Sequence, residues 1–336
     1  MNSITYIQSG FWYKIQSDSS KEGIRSQLEI SDVLQNSTVI TDIPIELIQQ
    51  DEFLKNLLLK EQQPTPCDTN YISKKVNGLN NDSSIEDLCA TYMLASTATA
   101  CNYIEKEFGV IALSAESIHN RRNLFVGDGI DMYRNIPYPH RYDSFKDKLA
   151  NPCNSIIIID PYIIKKKMVD SEGCVSFPGL TNNMESLLDA IIPNQLKIDF
   201  HLTIISSLDN PDDIKRAYEK FKKCLKRIKK ELSFKLCIVY TETGYNPDIE
   251  SFHSRHVLSN TFSIDSEDGL DIFDGRGYIT KNNPVISIVF PRLLGDCRKD
   301  FTKSINWIAS VKKHIQEAPD KFICGVKDNR LFDLVD

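Results

Sequence analysis

The feature that most constrains the fold is an uninterrupted run of β-branched residues near the middle of the chain. Four isoleucines follow Ser155 and lead directly into Asp160 and Pro161. β-Branched side chains favour extended backbone, and no polar residue interrupts the run. The pattern therefore predicts a strand over residues 154–162 that is buried on both faces, as in a parallel sheet. The strand ends at Asp160, because a residue before proline avoids helical backbone.

Extended and helical patterns alternate after Tyr142, which predicts an α/β layered sheet. The further predicted strands are residues 197–206, 235–240, 253–259, 261–264 and 284–289. The predicted helices are residues 183–192, 209–232 and 300–315. Ligands of such sheets bind outside the carboxyl ends of the strands, so Asp160, Ser206 and Ser207 are candidate site residues.

The first part of the chain, residues 1–140, contains no recognisable motif. Its mixed strand and helix patterns predict a separate α+β domain, to which we assign partner binding or regulation by elimination. The extended patterns there are residues 4–15, a strand or hairpin, and residues 28–43. The helical patterns are residues 44–59 and residues 85–108, the second capped by Ser84. Residues 68–82 are rich in Asn and Ser and predict a loop.

His253 and Arg255 form the most specific pair in the chain. They stand two positions apart in a segment predicted to be extended, where alternate residues project from the same face. An imidazole can attack or move a proton, and a guanidinium can hold an anion through two hydrogen bonds. The pair therefore predicts a site for a phosphate group, with a structural hydrogen-bonding pair as the alternative.

Composition limits the other classes of function. The net charge of −6 and pI near 5.6 argue against a surface that binds nucleic acid throughout, although a local basic patch stays possible. The nine cysteines lack metal-type spacing, so we expect no metal, no cofactor and a reducing, cytoplasmic location. No apolar run reaches the ~18 residues of a membrane-spanning helix, and no signal peptide pattern is present.

The predicted helix over residues 209–232 has a strongly basic polar face, in which Lys222, Lys226 and Lys229 are candidate phosphate contacts. This face suits a nucleic-acid backbone or anionic lipid heads, and a solvated helix face is the alternative. Lys165 and Lys167 could extend the same basic rim.

Other polar residues have structural alternatives. His256 faces away from Arg255 in a regular strand and suits the core, and His201 suits a satisfied position within a sheet. Asp160 could cap a turn. A group of acidic residues predicts either a cation site or a solvated turn. The members of this group are Asp265, Glu267, Asp268 and Asp271.

Several pieces of the chain together resemble a known family. In order they are residues 159–163 (Ile-Asp-Pro-Tyr-Ile), residues 205–208, a basic helix, His-x-Arg-x4-Asn at residues 253–260, and residues 269–273. This combination resembles the phospholipase-D-like domain at the C-terminus of MIT-domain proteins and its bacterial relatives. The resemblance covers residues 145–295, and residues 1–140 do not resemble the MIT module. It implies a phospholipase-D-like mixed sheet flanked by helices over residues 141–336.

The resemblance also implies roles for particular residues. The wider superfamily carries His-x-Lys-x4-Asp, so it implies His253 as the nucleophile and Arg255 as the phosphate clamp. Asn260 then occupies the position of the motif's carboxylate and is the third predicted catalytic residue. Because the chain holds one copy of the motif, a working site implies a homodimer. The residues that complete the predicted substrate site are Asp160, Tyr162, Ser206, Ser207, Asp271, Lys222, Lys226 and Lys229.

Two functions follow as hypotheses. The first is a nucleic-acid-directed phosphodiesterase, because bacterial relatives of this type occur as nuclease components of antiviral defence. The second is a catalytically degenerate binding or scaffold module that recognises a phosphate-bearing ligand or a protein partner. The MIT-associated branch shares the Arg and Asn forms of the motif and is regarded as non-catalytic, so the second hypothesis stays as the alternative. Of the two, we expect the first.

Overall fold

The computed structural model describes residues 3–35, 37–58, 64–83, 91–95, 97–118, 128–165, 167–241, 255–266, 269–281, 285–289 and 297–335. Within these residues the chain forms a five-stranded sheet, an eight-stranded sheet and a two-stranded hairpin. We call the first two the smaller sheet and the larger sheet.

The smaller sheet is parallel throughout and has the strand order β3-β2-β1-β4-β5. Its elements, with the helices between them, are β1 (Ser3–Ile7), α1 (Ser9–Ser17), α2 (Lys21–Gln35), β2 (Ser37–Thr41), α3 (Ile45–Gln50), α4 (Glu52–Leu58), β3 (Thr65–Pro66), α5 (Tyr71–Gly78), β4 (Thr91–Leu94), α6 (Ala98–Phe108) and β5 (Ala112–Leu113). Helices alternate with parallel strands, so the predicted α+β class is wrong for this part, which is α/β.

Several predicted elements in this region are wrong. The predicted strand over residues 28–43 begins inside α2, whose buried positions Gly23, Ser26, Ile30 and Leu34 have helical spacing. Short apolar segments of this kind fit a strand or a helix equally well. The other differences are α1, which begins within residues 4–15, α5 within the predicted loop 68–82, β4 within the predicted helix 85–108, and a break at residue 51 within 44–59. The predicted cap Ser84 lies outside the described residues.

The larger sheet is mixed, as predicted, and has the order β15-β11-β10-β7-β12-β13-β14-β6. Strands β7, β10 and β11 are parallel, and the other pairings are antiparallel. The elements are β6 (Asp128–Asp131), α7 (Lys146–Leu149), β7 (Ser155–Ile159), the hairpin β8 (Met168–Val169) and β9 (Val175–Ser176), α8 (Glu185–Ile191), β10 (Phe200–Ser206), α9 (Ile214–Ile228), β11 (Phe234–Tyr240), β12 (Arg255–Ser259), β13 (Ser263–Ser266), β14 (Val285–Val289), α10 (Cys297–Glu317) and β15 (Ile323–Gly325).

The larger sheet begins before the predicted division at residue 140. Strand β6 forms its edge and pairs Ile130 with Ile286 of β14. The next segment also belongs to this sheet, since the buried Tyr142 hydroxyl donates to the carbonyl of Leu270 at 2.8 Å. The chain therefore passes from the smaller sheet to the larger sheet between β5 and β6.

Strand β7 is the centre of the core, in agreement with the sequence pattern. Its four isoleucines have no exposed surface. Ile156 and Ile158 pack in one apolar cluster, whereas Ile157 and Ile159 pack in a second one on the other face. Burial of each such side chain contributes about 1.5–3 kcal/mol, so this short strand supplies a large share of the cohesion between the layers.

A polar junction joins the two sheets where α6 ends. Gly109 ends this helix with φ of +62°, and a Cβ there would lie 2.3 Å from the carbonyl oxygen of Cys153, so only glycine fits. The Asn154 side chain donates to the carbonyl of Phe108 at 2.8 Å. The Asn260 side chain donates to the carbonyl of Gly109 at 2.9 Å and accepts from the amide of Asn154 at 2.8 Å.

The segment after β15 packs back against β10. The Asn329 side chain donates to the hydroxyl of Thr203 at 3.1 Å, and the amide of Arg330 donates to Nδ1 of His201 at 3.0 Å. His201 is therefore a sheet histidine, as predicted, although its Nε2 has no partner among the described residues. Burial lowers the pKa of His201 to about 3, helped by the charges of Arg330 and Lys235.

This shift predicts a loss of stability in mild acid. Unfolded His201 takes up a proton near pH ~6.5, whereas the folded side chain stays neutral down to about pH 3, so stability falls as pH drops below that first value. Between pH 7 and pH 5 we expect His201 to contribute a loss of about 2 kcal/mol. Urea unfolding at both pH values should show a smaller loss in His201→Asn, whose Oδ1 can still accept from Arg330. Equal losses in both proteins would contradict the assignment.

Candidate functional site

The carboxyl ends of the three parallel strands form one polar edge. The backbone hydrogen bonds between β7 and β10 continue beyond the ends of the strands. The amide of Asp160 donates to the carbonyl of Ile205 at 3.1 Å, and the amide of Ser207 donates to the carbonyl of Pro161 at 3.1 Å. The amide of Thr241 donates to the carbonyl of Ser206 at 3.1 Å. The edge thus brings together Asp160, Ser206 and Ser207, where the sequence places them.

Ser206 and Ser207 form hydrogen bonds with the backbone of this edge. Both are buried, and the Ser207 hydroxyl donates to the carbonyl of Pro161. The Ser206 hydroxyl donates to the carbonyl of Ser207 at 3.4 Å. These hydroxyls hold the chain turns after β7 and β10 in place, so their contribution to a site is structural support.

Asp160 links the end of β7 to a loop from another part of the sheet. Its carboxylate accepts from the amide of Tyr162 at 2.8 Å and from the amide of Leu270 at 3.0 Å, so it does cap the following turn. Burial raises the pKa of this carboxyl, and the two amides and the positive charge of Arg255 oppose that rise. Asp160 therefore lies within electrostatic reach of Arg255, the predicted phosphate clamp.

Arg255 begins β12 at the same edge and is half-buried. Its guanidinium lies 5.1 Å from the ring centroid of Tyr162, an exposed side chain. The Lys165 ammonium lies 5.3 Å from the same centroid. Two cations thus surround one exposed aromatic ring, and we call these three residues the Tyr162 cluster. His253 precedes Arg255 by two positions and lies outside the described residues.

Gly269 gives Arg255 a backbone surface to lie on. Its φ of +94° favours glycine, and a Cβ there would lie 3.4 Å from Nε of Arg255. The Ser266 hydroxyl donates to the Gly269 carbonyl at 2.6 Å and fixes the turn. Gly269 begins residues 269–273, one of the segments that carry the family resemblance. Only the fold shows that it lies near Arg255.

The loop that follows Gly269 is held by buried polar side chains that sequence reasoning missed. Asn183, in a π-helical turn (Leu180–Met184), accepts from the amides of Ile272 at 3.1 Å and Phe273 at 2.7 Å. Its amide group also donates to the Asp271 carboxylate. Asp271 is exposed and close to the edge, but it is engaged by Asn183. Asn183 and Tyr142, which bonds the carbonyl of Leu270 in the same loop, are isolated polar residues in the sequence. They form no pattern from which their contacts with this loop could be predicted.

The predicted catalytic role of Asn260 is wrong. Strand β12 runs antiparallel to β7, so Ser259 pairs with Ile156 while His256 pairs with Ile159. Asn260 therefore lies at the amino end of β7, ~16 Å from Arg255 at ~3.3 Å per residue. Its side chain is used fully in the junction between the sheets, where Oδ1 also accepts from the amide of Ser155 at 3.3 Å.

The three predicted lysine contacts differ in position. Lys222 and Lys226 lie on the exposed outer face of α9. Lys222 follows Asp213, which contacts Lys167 near the polar edge, by nine residues, or ~14 Å along a helix axis. The basic face therefore runs away from the Tyr162 cluster.

Lys229 is not a phosphate contact. It is buried, and its ammonium donates to the carbonyl of Asp189 at 2.8 Å and to the side chain of Asn194 at 2.9 Å. An ion pair of 2.9 Å joins it to the Asp189 carboxylate. The helix ends at Ile228, so the backbone turns Lys229 inward and the helical pattern of the sequence no longer applies.

The two described members of the predicted acidic group, Asp265 and Asp271, have separate partners. Asp265 lies in β13 and contacts His256, whereas Asp271 accepts from Asn183. Glu267 and Asp268 lie outside the described residues. Across the part of the chain that the structure describes, no three His, Cys, Asp or Glu side chains are placed to hold a metal ion.

Comparison of the chain with protein-family models and with curated proteins finds no match. Among the helices in the described ranges, none combines the length and the apolar character needed to cross a membrane.

The burial of Lys229 predicts a stability effect that its neighbours lack. Lys229→Met keeps most of the aliphatic volume but leaves Asp189 and Asn194 without their cation, so we expect a loss of roughly 2 kcal/mol. Lys226→Met, on the exposed face, should change the free energy of unfolding by less than ~0.5 kcal/mol. Urea denaturation of both variants tests this contrast, and equal effects would contradict the buried ion pair.

The junction makes a second stability prediction. Asn260→Ala leaves two backbone amides and one carbonyl without a buried partner, so it should cost roughly 3 kcal/mol. The exposed Asn306→Ala serves as the control and should unfold like wild type. A wild-type unfolding midpoint in Asn260→Ala would show that the junction does not depend on this side chain.

Proposed function

We propose that the polar edge of the larger sheet binds a phosphate group of a nucleic acid, and that the protein is a phospholipase-D-like phosphodiesterase. The Tyr162 cluster is the observation that carries this proposal. A guanidinium can hold two phosphate oxygens, an ammonium adds a second cation, and an exposed aromatic ring can contact a base. Nucleic-acid sites combine these same groups.

In the proposed reaction His253 is the nucleophile. An imidazole nitrogen attacks phosphorus and forms a P–N bond while the P–O bond to the leaving group breaks. The leaving oxygen takes a proton from the imidazolium of a second His253 in a homodimer. Water then gives a proton to the second imidazole and attacks phosphorus, the P–N bond breaks, and the phosphate monoester and free His253 are released. Arg255 holds the phosphoryl oxygens, and its contact with Tyr162 limits the positions that it can adopt.

A second function has support from one observation. Asn260, which stands where the superfamily motif has a carboxylate, serves the junction between the sheets and lies far from Arg255. A chain that keeps the phosphate clamp but uses this position for structure suits a binding or scaffold module. Both functions require Arg255, and only the first requires His253.

Binding is tested with a fluorescent single-stranded DNA oligonucleotide and its duplex, by anisotropy at fixed salt. We expect Arg255→Ala to weaken binding roughly tenfold or more, because a charge-assisted clamp is lost. Lys226→Ala removes a cation from the outer face of α9 and should have an effect of less than ~threefold. Equal affinity of wild type and Arg255→Ala would contradict the proposed site.

Cleavage separates the two functions. Wild type and His253→Ala are incubated with single- and double-stranded DNA and RNA, with and without EDTA. Cleavage that persists in EDTA and disappears in His253→Ala supports the phosphohistidine route. Binding by wild type without any cleavage removes the phosphodiesterase and leaves the binding module.

A further inference from the structure

The face of β12 opposite Arg255 carries a buried histidine that the proposed reaction does not use. His256 is 1% exposed, and its Nδ1 contacts the carboxylate of Asp265 on β13. The ring of Trp307, from α10, lies 4.9 Å away between centroids and covers the imidazole. His256 therefore faces away from Arg255, as predicted, and Asp265 and Trp307 hold it in a fixed orientation.

The register of the two strands connects this pair to the proposed site. His256 pairs with Asp265, and the next pair at the strand end is Arg255 with Ser266. Since side chains alternate along a strand, the first pair lies on one face and the second on the other. On the site face, a Cβ at Gly269 would lie 3.4 Å from Nε of Arg255, and the Ser266 hydroxyl donates to the Gly269 carbonyl. The two strand ends that carry the clamp and its supporting turn are thus adjacent to the histidine–aspartate pair.

We propose that His256 and Asp265 are positioning residues that lock the ends of β12 and β13 and thereby fix Arg255 against Gly269. The positioning role rests on the proposed phosphate site. His256 is buried, and Asp265 lies on the face of the sheet opposite Arg255, so the pair acts on the site through the backbone.

The physical reason is that the ladder pair of Arg255 and Ser266 lies directly beside the pair of His256 and Asp265. Local opening of the ladder at these pairs moves the guanidinium away from Tyr162 and Gly269. A side-chain bond between the neighbouring residues opposes this opening from the other face. Asp265 can provide it because its carboxylate accepts a hydrogen bond from the imidazole N–H.

The test uses Asp265→Ala, which removes the bond, and Asp265→Asn, whose carbonyl oxygen can still accept it. The readouts are anisotropy with the labelled single-stranded DNA oligonucleotide and amide hydrogen exchange of the peptide covering residues 255–259. We expect Asp265→Ala to weaken binding and to speed exchange, each about fivefold, and Asp265→Asn to stay within about twofold of wild type. Glu219→Ala, at an exposed position of α9, is the carboxylate-removal control and should match wild type.

Two results would overturn the positioning role. One is wild-type binding by Asp265→Ala while Arg255→Ala loses binding, and the other is equal impairment by the Ala and Asn variants. If Arg255→Ala itself binds like wild type, the proposed function fails. Amide hydrogen exchange of residues 255–259 then tests whether the pair locks the strand ends. Faster exchange in Asp265→Ala but not in Asp265→Asn supports the locking, and unchanged exchange in Asp265→Ala overturns it.

Discussion

The junction at Gly109 is the interaction on which the arrangement of the two sheets depends. Two asparagine side chains, Asn154 and Asn260, bond the last turn of α6 to the amino end of β7. They can do so only because Gly109 adopts a left-handed conformation and lets Cys153 approach its Cα closely. Each buried hydrogen bond contributes about 1 kcal/mol net, but leaving its groups unpaired costs more, so the junction tolerates few changes.

The two ends of β7 consequently have different roles. The amino end joins the sheets, and the carboxyl end leads into Asp160, whose carboxylate accepts from the amide of Tyr162 and feels the charge of Arg255. Between them stand only isoleucines that are buried on both faces. This separation explains why Asn260, close to Arg255 in sequence, belongs to the structural end while Arg255 belongs to the polar edge.

The sequence predicts the elements whose pattern is complete within a short segment. The isoleucine run gives β7, and the apolar stripe of Ile214, Phe221 and Leu225 gives α9. Local patterns fail where the partner is distant in sequence. The helical pattern places Lys229 on a solvated face, but in the structure it is buried and pairs with Asp189 of α8. His256 and Asp265 meet only through the register of β12 and β13, which spacing alone does not determine. Local patterns also fail in the smaller sheet, because its strands are short and its apolar segments suit a strand or a helix equally well.

The positions of the two tryptophans have a spectroscopic consequence. Trp12 of α1 is fully buried in apolar surroundings on the smaller sheet, whereas Trp307 of α10 lies half-buried against the imidazole of His256. The chain has no other tryptophan. Its intrinsic fluorescence therefore comes from two emitters in separate layers, one in a buried apolar core and one beside the strand that carries Arg255. Replacing either indole with phenylalanine would give a native optical probe of one sheet at a time.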